Sequence, residues 1–228
     1  MQHVFLITQS DPRSPASEAF RLVRANLKFS QVQGSFKTIL ITSTGPEEGK
    51  STLAANLAVT MAQAGSTVLL VDCDLRRPRL HRTFKLKNRL GLTNVLIRAQ
   101  LWNQAVQTTD IPGLSLIPSG PIPPNPSELL GSEPMQEFLE SAASEYDAVV
   151  LDTPPVVAVS DALVLAPLVD GIILVVRAGK TRVDQIMEAK KLLENANGRI
   201  VGAVINAAKP NGKSYYYYHY YSSDGKER

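Results

Sequence analysis

The sequence predicts an α/β protein built on a doubly wound, mostly parallel sheet that carries a phosphate-binding loop. Three observations lead there. Short aliphatic and β-branched runs alternate with longer helix-like segments, and several of the runs are apolar throughout. The first run leads directly into Gly45-Pro46-Glu47-Glu48-Gly49-Lys50-Ser51-Thr52. Alternation of strand and helix implies a parallel sheet with crossover helices. A strand with no polar face implies cover on both sides.

Taken in order, the first element is a helix from about Pro15 to Lys28, with Ser14 as N-cap and Pro15 pre-set for the first helical position. Phe20, Val23 and Leu27 share one stripe, while Glu18, Arg21 and Arg24 fall on an adjacent charged face free to meet a partner. At this spacing a solvated surface with one Glu-to-Arg pair, worth about 0.2–0.5 kcal/mol, is the plainer reading. Strands are expected at Thr38 to Ser43, Thr67 to Asp72, Leu114 to Pro118, Ala148 to Asp152, Gly171 to Val176 and Ile200 to Asn206. Helices are expected at Lys50 to Ala64, Ser127 to Ser144, Asp161 to Leu168 and Arg182 to Asn195. The proline-rich stretch Ser119 to Pro126 reads as an extended connector. Past Asn206 the pattern stops. Lys209 to Arg228 has no aliphatic side chain and reads as a flexible tail, yet it holds Tyr215, Tyr216, Tyr217, Tyr218, Tyr220 and Tyr221, six of the seven tyrosines. The expected division is a domain over 1–207 and a tail over 208–228.

A chain of 228 residues suits one large-cored domain, and 44% apolar with 20% charged residues excludes a disordered or disulfide-scaffold protein. No apolar run reaches the roughly 18 residues of a membrane span, and no signal peptide opens the chain. A cytoplasmic location is expected. The single cysteine, Cys73, has no partner for a disulfide or metal site and reads as a small core residue. A net charge of +3 does not define a nucleic-acid binder. The charge is nonetheless uneven: Arg76, Arg77, Arg79, Arg82, Lys85, Lys87 and Arg89 lie in a stretch with no acid between Asp74 and Asp110. That stretch should attract anions, unless it is simply a solvated face.

The chemistry concentrates at strand ends. In the loop from Gly45 to Thr52, successive backbone N–H groups and the following helix N-terminus can surround phosphate oxygens. Lys50 can reach the β and γ phosphates, and Ser51 can ligate Mg²⁺. The standard spacing would put the first glycine at position 44, where this chain has Thr44. One crossover later, Val68-Leu69-Leu70-Val71 ends in Asp72-Cys73-Asp74, and Ala148-Val149-Val150-Leu151 ends in Asp152, a second candidate Mg²⁺ holder. These acids supply a metal site and leave one carboxylate to take a proton from an attacking hydroxyl. Asn206 ends the last strand, where it is either a base-contacting group or a turn former. His3, His81 and His219 lack metal-ligand spacing, and Trp102 reads as packing.

Together the loop, Asp72-x-Asp74, Asp152-Thr153-Pro154-Pro155, Glu18-x-x-Arg21-x-x-Arg24, Pro123-Pro124-Asn125-Pro126-Ser127-Glu128-Leu129-Leu130 and the tyrosine cluster resemble the bacterial tyrosine kinases of capsular and exopolysaccharide synthesis, nearly end to end. The resemblance implies a P-loop fold related to the septum-site and partition ATPases, with ATP and ADP as nucleotides. Gly45, Glu48, Gly49, Lys50, Ser51, Thr52 and Asn206 would bind nucleotide. Ser51, Asp74 and Asp152 would hold Mg²⁺, and Lys50, Asp72 and Asp74 would be catalytic, with Asp72 as the general-base candidate. Glu18, Arg21 and Arg24 would join subunits into a homo-oligomeric ring, and the tail tyrosines would be phosphorylated by a neighbouring subunit. A transmembrane activator or adaptor and a protein-tyrosine phosphatase are the implied partners. The chain would then work at the inner face of the membrane, through a partner or as the cytoplasmic portion of a longer protein. Two alternatives compete. A partition or septum-site ATPase would use nucleotide-driven dimerisation, but such proteins carry a signature lysine where Gly45 stands, and six terminal tyrosines have no place in them. A regulatory subunit would switch a membrane partner without turnover.

Overall fold

Alternate residues of a strand face opposite sides of a sheet, so a strand that is apolar at every position needs a layer on each side. The computed structural model, which describes residues 4–29 and 36–208, has that arrangement. The tyrosine cluster, His3 and His219 lie outside the described residues. Helices α1 (Ile7–Ser10) and α2 (Pro15–Phe29) precede β1 (Thr38–Ser43), which feeds α3 (Lys50–Gln63) and β2 (Val68–Asp72). Short helices α4 (Leu80–Thr83), α5 (Leu92–Leu96) and α6 (Trp102–Ala105) lead to β3 (Gln107–Thr108) and β4 (Leu114–Ile117). Then come α7 (Pro126–Leu130), α8 (Glu133–Glu145), β5 (Ala148–Asp152), α9 (Asp161–Leu165), β6 (Gly171–Arg177), α10 (Val183–Asn195) and β7 (Ile200–Asn206).

The seven strands are ordered β3-β4-β2-β5-β1-β6-β7, and every pairing is parallel except β3 with β4. One face of the sheet, with Leu40, Leu69, Val149, Leu151 and Leu174, packs against Phe138 and Leu139 of α8 and Leu193 of α10. The other face, with Ile39, Ile41, Leu70, Val150 and Ile173, packs against Leu53 and Leu57 of α3 and Leu27 of α2. The expected doubly wound sheet is therefore observed, and all six expected strands form.

Three differences have physical causes. The helix expected over Ser127 to Ser144 is two helices, because Pro134 cannot donate to Leu130 and its ring would collide with that carbonyl. The chain restarts at Ser132, which is extended (φ −84°, ψ 160°). The helix expected to reach Leu168 tightens into a 3-10 turn at Ala166–Leu168, which contains Pro167. Strand β3 is two residues long, too short to show a period, and the four-to-five-residue helices α1, α4, α5 and α6 were not foreseen for the same reason.

Helix α2 forms as expected: Ser14 Oγ accepts the Ser17 N–H at 3.2 Å, and Phe20, Val23 and Leu27 face the core. Its charged face is partly committed within the chain. Arg21 pairs with Glu18 at 2.8 Å, and Arg24 donates to the Thr60 carbonyl of α3 at 2.6 Å. Helix α3 can be apolar nearly all round because the sheet covers one side and α1 and α2 the other. Buried Asn56 stitches that outer cover on, accepting from the Thr8 N–H and hydroxyl and donating to the Phe5 and Thr52 carbonyls. Cys73 is buried, and Trp102 packs edge-on against Phe138 at 5.9 Å, both as expected.

Asp170 sets the start of β1, since one carboxylate oxygen accepts from the Lys37 N–H, the Thr38 N–H and the Thr38 hydroxyl at 2.8–2.9 Å. Replacing Asp170 by alanine leaves these donors without that acceptor, and we expect urea denaturation to show a loss of about 1–3 kcal/mol.

Candidate functional site

The sheet order brings the site together. Strand β1 lies between β5 and β6, and β5 lies between β1 and β2, so the β1–α3 loop sits beside the ends of β5 and β2. Register places Asp72 directly opposite Asp152. In open α/β sheets this carboxyl edge is where ligands bind. A cleft of about 360 Å³ opens there, lined by Pro46, Glu47, Gly49, Lys50, Ser51, Thr52, Asp74, Arg77, Arg79, Pro155, Arg177 and Asn206, among others. Its size falls in the range of small-ligand sites.

The loop is wound so that its N–H groups stay available. Glu47 and Gly49 have positive φ (63° and 98°), and the first helical N–H of α3 with a backbone acceptor is that of Leu53, bonded to Gly49 at 2.9 Å. Glycine is needed at 49 for a second reason: a Cβ there would collide with the Asn206 side-chain nitrogen. The departure at Thr44 also has an explanation. The Glu48 side chain turns inward, is only 3% exposed, and accepts from the Thr44 N–H (2.9 Å), the Thr44 hydroxyl (2.7 Å) and the Gly45 N–H (3.0 Å). Glu48 thus holds the loop entry with its carboxylate and leaves only its backbone for a ligand. Asn206 donates to the Glu48 carbonyl at 2.9 Å and braces the loop from β7.

Lys50 is the electrostatic centre. Its ammonium lies 2.8 Å from Asp74 Oδ2, 3.6 Å from Asp152 Oδ1 and 3.3 Å from Ser51 Oγ. Burial opposes its charge, but attraction to Asp152 and Asp74 outweighs that penalty and holds its pKa above the ordinary lysine value. The ammonium therefore occupies a cation position among the three oxygens expected to hold Mg²⁺. Among the described residues no cluster of three or more His, Cys, Asp or Glu is placed to hold a metal ion. Two carboxylates and a hydroxyl suit Mg²⁺ all the same, since that ion keeps waters and takes its remaining oxygens from phosphates.

The two acids of Asp72-x-Asp74 differ in position. Asp74 lines the cleft and accepts the Arg77 N–H at 3.0 Å. Asp72 does not line it. One Asp72 oxygen accepts the Arg79 and Leu80 N–H groups at 3.1 and 3.0 Å, and the other is buried without a hydrogen-bond partner. Burial, reinforced by the Asp152 charge, pushes its pKa up to about 7. Burial also raises that of Asp152, against the pull of Lys50.

Comparison with known proteins identifies what carries this site. A family profile described as an AAA domain matches residues 36–194. The tyrosine-protein kinase YwqD of Bacillus subtilis is 45% identical over 211 residues, covering 92% of this chain and 89% of that protein. The chain belongs to the bacterial tyrosine kinases. The putatively assigned tyrosine-protein kinase CapB of Staphylococcus aureus is 40% identical over 88% of both chains. The tyrosine-protein kinase etk of Escherichia coli is 35% identical, and there the match spans 90% of this chain but 28% of that longer protein. Among solved structures, the kinase domain of Escherichia coli ETK aligns with a TM-score of 0.88 at 34% identity, covering 93% of this chain and 83% of that one. The septum-site protein MinD of Pyrococcus horikoshii aligns at 0.65 with 23% identity, which reflects a shared fold. The bacterial tyrosine kinase described here is thus a nucleotide-binding phosphotransferase, and the partition-type ATPases are its distant structural relations. Among the described residues of this kinase no helix is long and apolar enough to cross a membrane.

Sequence reasoning brought Gly45, Glu48, Gly49, Lys50, Ser51, Thr52, Asp72, Asp74, Asp152 and Asn206 to this edge, and the structure places all of them there. It missed Arg177, Lys180 and Thr181. Arg177 Nη1 donates to the Glu47 carbonyl at 2.9 Å and Lys180 to that of Pro46 at 3.1 Å. Their only signal was a position at the end of β6 or just after it.

Because Asp72 holds its proton more tightly in the nucleotide-free fold than in the unfolded chain, its contribution to stability falls as pH rises from about 4 to about 7. Asp72→Asn removes the charge. The melting temperature of the variant relative to the parent should therefore be higher at pH 8 than at pH 5, read by thermal unfolding without nucleotide.

Proposed function

We propose that this kinase transfers the γ-phosphate of ATP to Tyr215, Tyr216, Tyr217, Tyr218, Tyr220 and Tyr221 of a neighbouring subunit, and through that modification regulates capsular or exopolysaccharide synthesis and export. In this reading residues 1–207 are the catalytic domain and 208–228 the acceptor tail. The observation that carries it is the Lys50 ammonium set among Ser51, Asp74 and Asp152 at the mouth of an N–H-lined loop. The loop N–H groups and Lys50 would neutralise the β and γ phosphates. Ser51, Asp74 and Asp152 would hold Mg²⁺, which supplies further charge neutralisation on the phosphate oxygens. For Lys50 to meet phosphate it must leave Asp74, so nucleotide entry frees that carboxylate. The phenolic oxygen then attacks γ-phosphorus as the bond to the bridging oxygen breaks, ADP departs, and the phenolic proton passes to a carboxylate. What supports Asp74 as a holder of Mg²⁺ is that it lines the cleft, as Asp72 does not.

Subunits would meet through α2. Glu18 and Arg21 keep 47% and 30% of their side-chain surface exposed and are the groups available for a ring contact, while Arg24 ties that helix to α3. A transmembrane activator or adaptor would hold the ring at the inner face of the membrane, and a protein-tyrosine phosphatase would reset the tail.

Lys50→Met should reduce tail labelling by about 100-fold or more while circular dichroism shows a folded domain. Tail phosphate persisting in Lys50→Met protein, made in a host shown to lack another tyrosine kinase, would overturn the mechanism. Mixing full-length Lys50→Met protein with an active subunit truncated before Lys209 should label the Lys50→Met tail, because the tail is offered to a neighbour. Labelling of wild-type protein at a rate per molecule independent of concentration, in a sample that is monomeric by light scattering, would exclude transfer between subunits.

A further inference from the structure

The inward-turned Glu48 carboxylate has a fourth donor that belongs to no motif. The Thr181 hydroxyl, in the connection from β6 to α10, donates to Glu48 Oε1. A hydroxyl has a single proton, and the direction of this one is set from outside: the Arg177 N–H donates to Thr181 Oγ at 2.8 Å, occupying a lone pair and leaving the proton to the carboxylate. We infer that Thr181 is a positioning residue for the phosphate loop, acting through Glu48 to hold Thr44 to Gly49 in the anion-binding shape that a glycine at position 44 would otherwise permit.

Glu48 sits in a site almost closed to water, and its carboxylate forms no salt bridge among the described residues, so hydrogen bonds must stabilise its charge. Two of its donors, the N–H groups of Thr44 and Gly45, belong to the loop itself. The Thr44 hydroxyl is a third local donor. Only Thr181 comes from another part of the chain, and it is 133 residues away from Glu48 in sequence. It therefore anchors the loop to the sheet. Arg177 and Lys180, bound to the carbonyls of Glu47 and Pro46, align the same connection along the loop. With the carboxylate and these carbonyls facing the β6–α10 connection, the N–H groups from Glu47 to Thr52 are left for phosphate. Without the Thr181 donor, Glu48 would gain by turning toward water, and its departure would release the Thr44 and Gly45 N–H groups as competing conformations of the loop entry. Thr181 touches no substrate in this scheme, and its effect should appear in binding of nucleotide.

The test compares Thr181→Val, which keeps the shape and removes the hydroxyl, with Thr181→Ser, which keeps the hydroxyl. Binding of a fluorescent ADP analogue with Mg²⁺ is measured directly, so the result does not depend on where phosphate is transferred. Loss of a hydrogen bond to a charged group corresponds to about a 10-fold to 100-fold weaker affinity for Thr181→Val. Its KM for ATP should rise in parallel, with kcat at saturating ATP within about 2-fold of the parent, and Thr181→Ser should restore both. In a Glu48→Gln background, where the carboxylate is already lost, Thr181→Val should add less than about 3-fold. Wild-type affinity in Thr181→Val would overturn the inference. So would a full-sized effect of Thr181→Val in the Glu48→Gln background, or a melting temperature that falls while Thr181→Ser fails to restore binding. If Thr181→Val weakens the analogue as expected but no subunit labels the tyrosine tail, the inference stands and the proposed phosphoryl acceptor falls.

Discussion

Carboxylates at the ends of two adjacent parallel strands repel one another, and in a cleft largely closed to water that repulsion is poorly screened. The ammonium of Lys50 is the counterweight on which the rest of the site depends. It touches Asp74 and lies within ion-pair distance of Asp152, while burial and the Asp152 charge push the pKa of Asp72 up to about 7. A site built this way is tense without ligand. One cation must serve several acids, and any ligand that draws Lys50 away must bring compensating positive charge. ATP accompanied by a divalent cation would meet that requirement, since the phosphates would attract the ammonium and Asp74 and Asp152 are the residues that would hold the cation.

Rigid support for this arrangement comes from an unusually well-covered α3. The helix that follows the phosphate loop has the sheet on one side and α1 and α2 on the other, and Asn56 uses both ends of its amide to bind the outer layer to it. Arg24 adds a bond from α2 to the Thr60 carbonyl near the far end of the same helix. The helix expected to meet other subunits and the helix that begins at Lys50 are therefore packed as one body. A contact made on α2 therefore bears on the helix that begins at Lys50.

Much of this was legible in the chain. Fully apolar strands such as Val68 to Val71 announce themselves because burial on both faces removes every polar position, and a strand ending in an acid marks the ligand edge. Breaks within helices were less legible. Pro134 lies inside an otherwise helical pattern, and the structure decided that the chain stops and restarts at Ser132, with the proline in a first turn, where it is tolerated. The short helices carry too few residues for a period to emerge. At the site, the residue types were visible, but the direction in which each side chain points was not: the Glu48 carboxylate turns into the loop, Asp72, the general-base candidate, does not line the cleft that Asp74 lines, and Asn206 braces the loop.

By itself the sequence determined the doubly wound fold, the identity of the phosphate loop and the acids gathered opposite it, since these follow from local period, strand ends and motif spacing. Only the tertiary structure decided how charge and hydrogen bonds are shared among them. That Lys50 sits between Asp74 and Asp152, that Asp72 is shielded, and that Thr181 reaches Glu48 across 133 residues all depend on strand order, which brings distant loops to one edge. The physical reason is that hydrogen bonds and ion pairs act over a few ångströms in space, whereas the separation of these residues along the chain carries no trace of that distance.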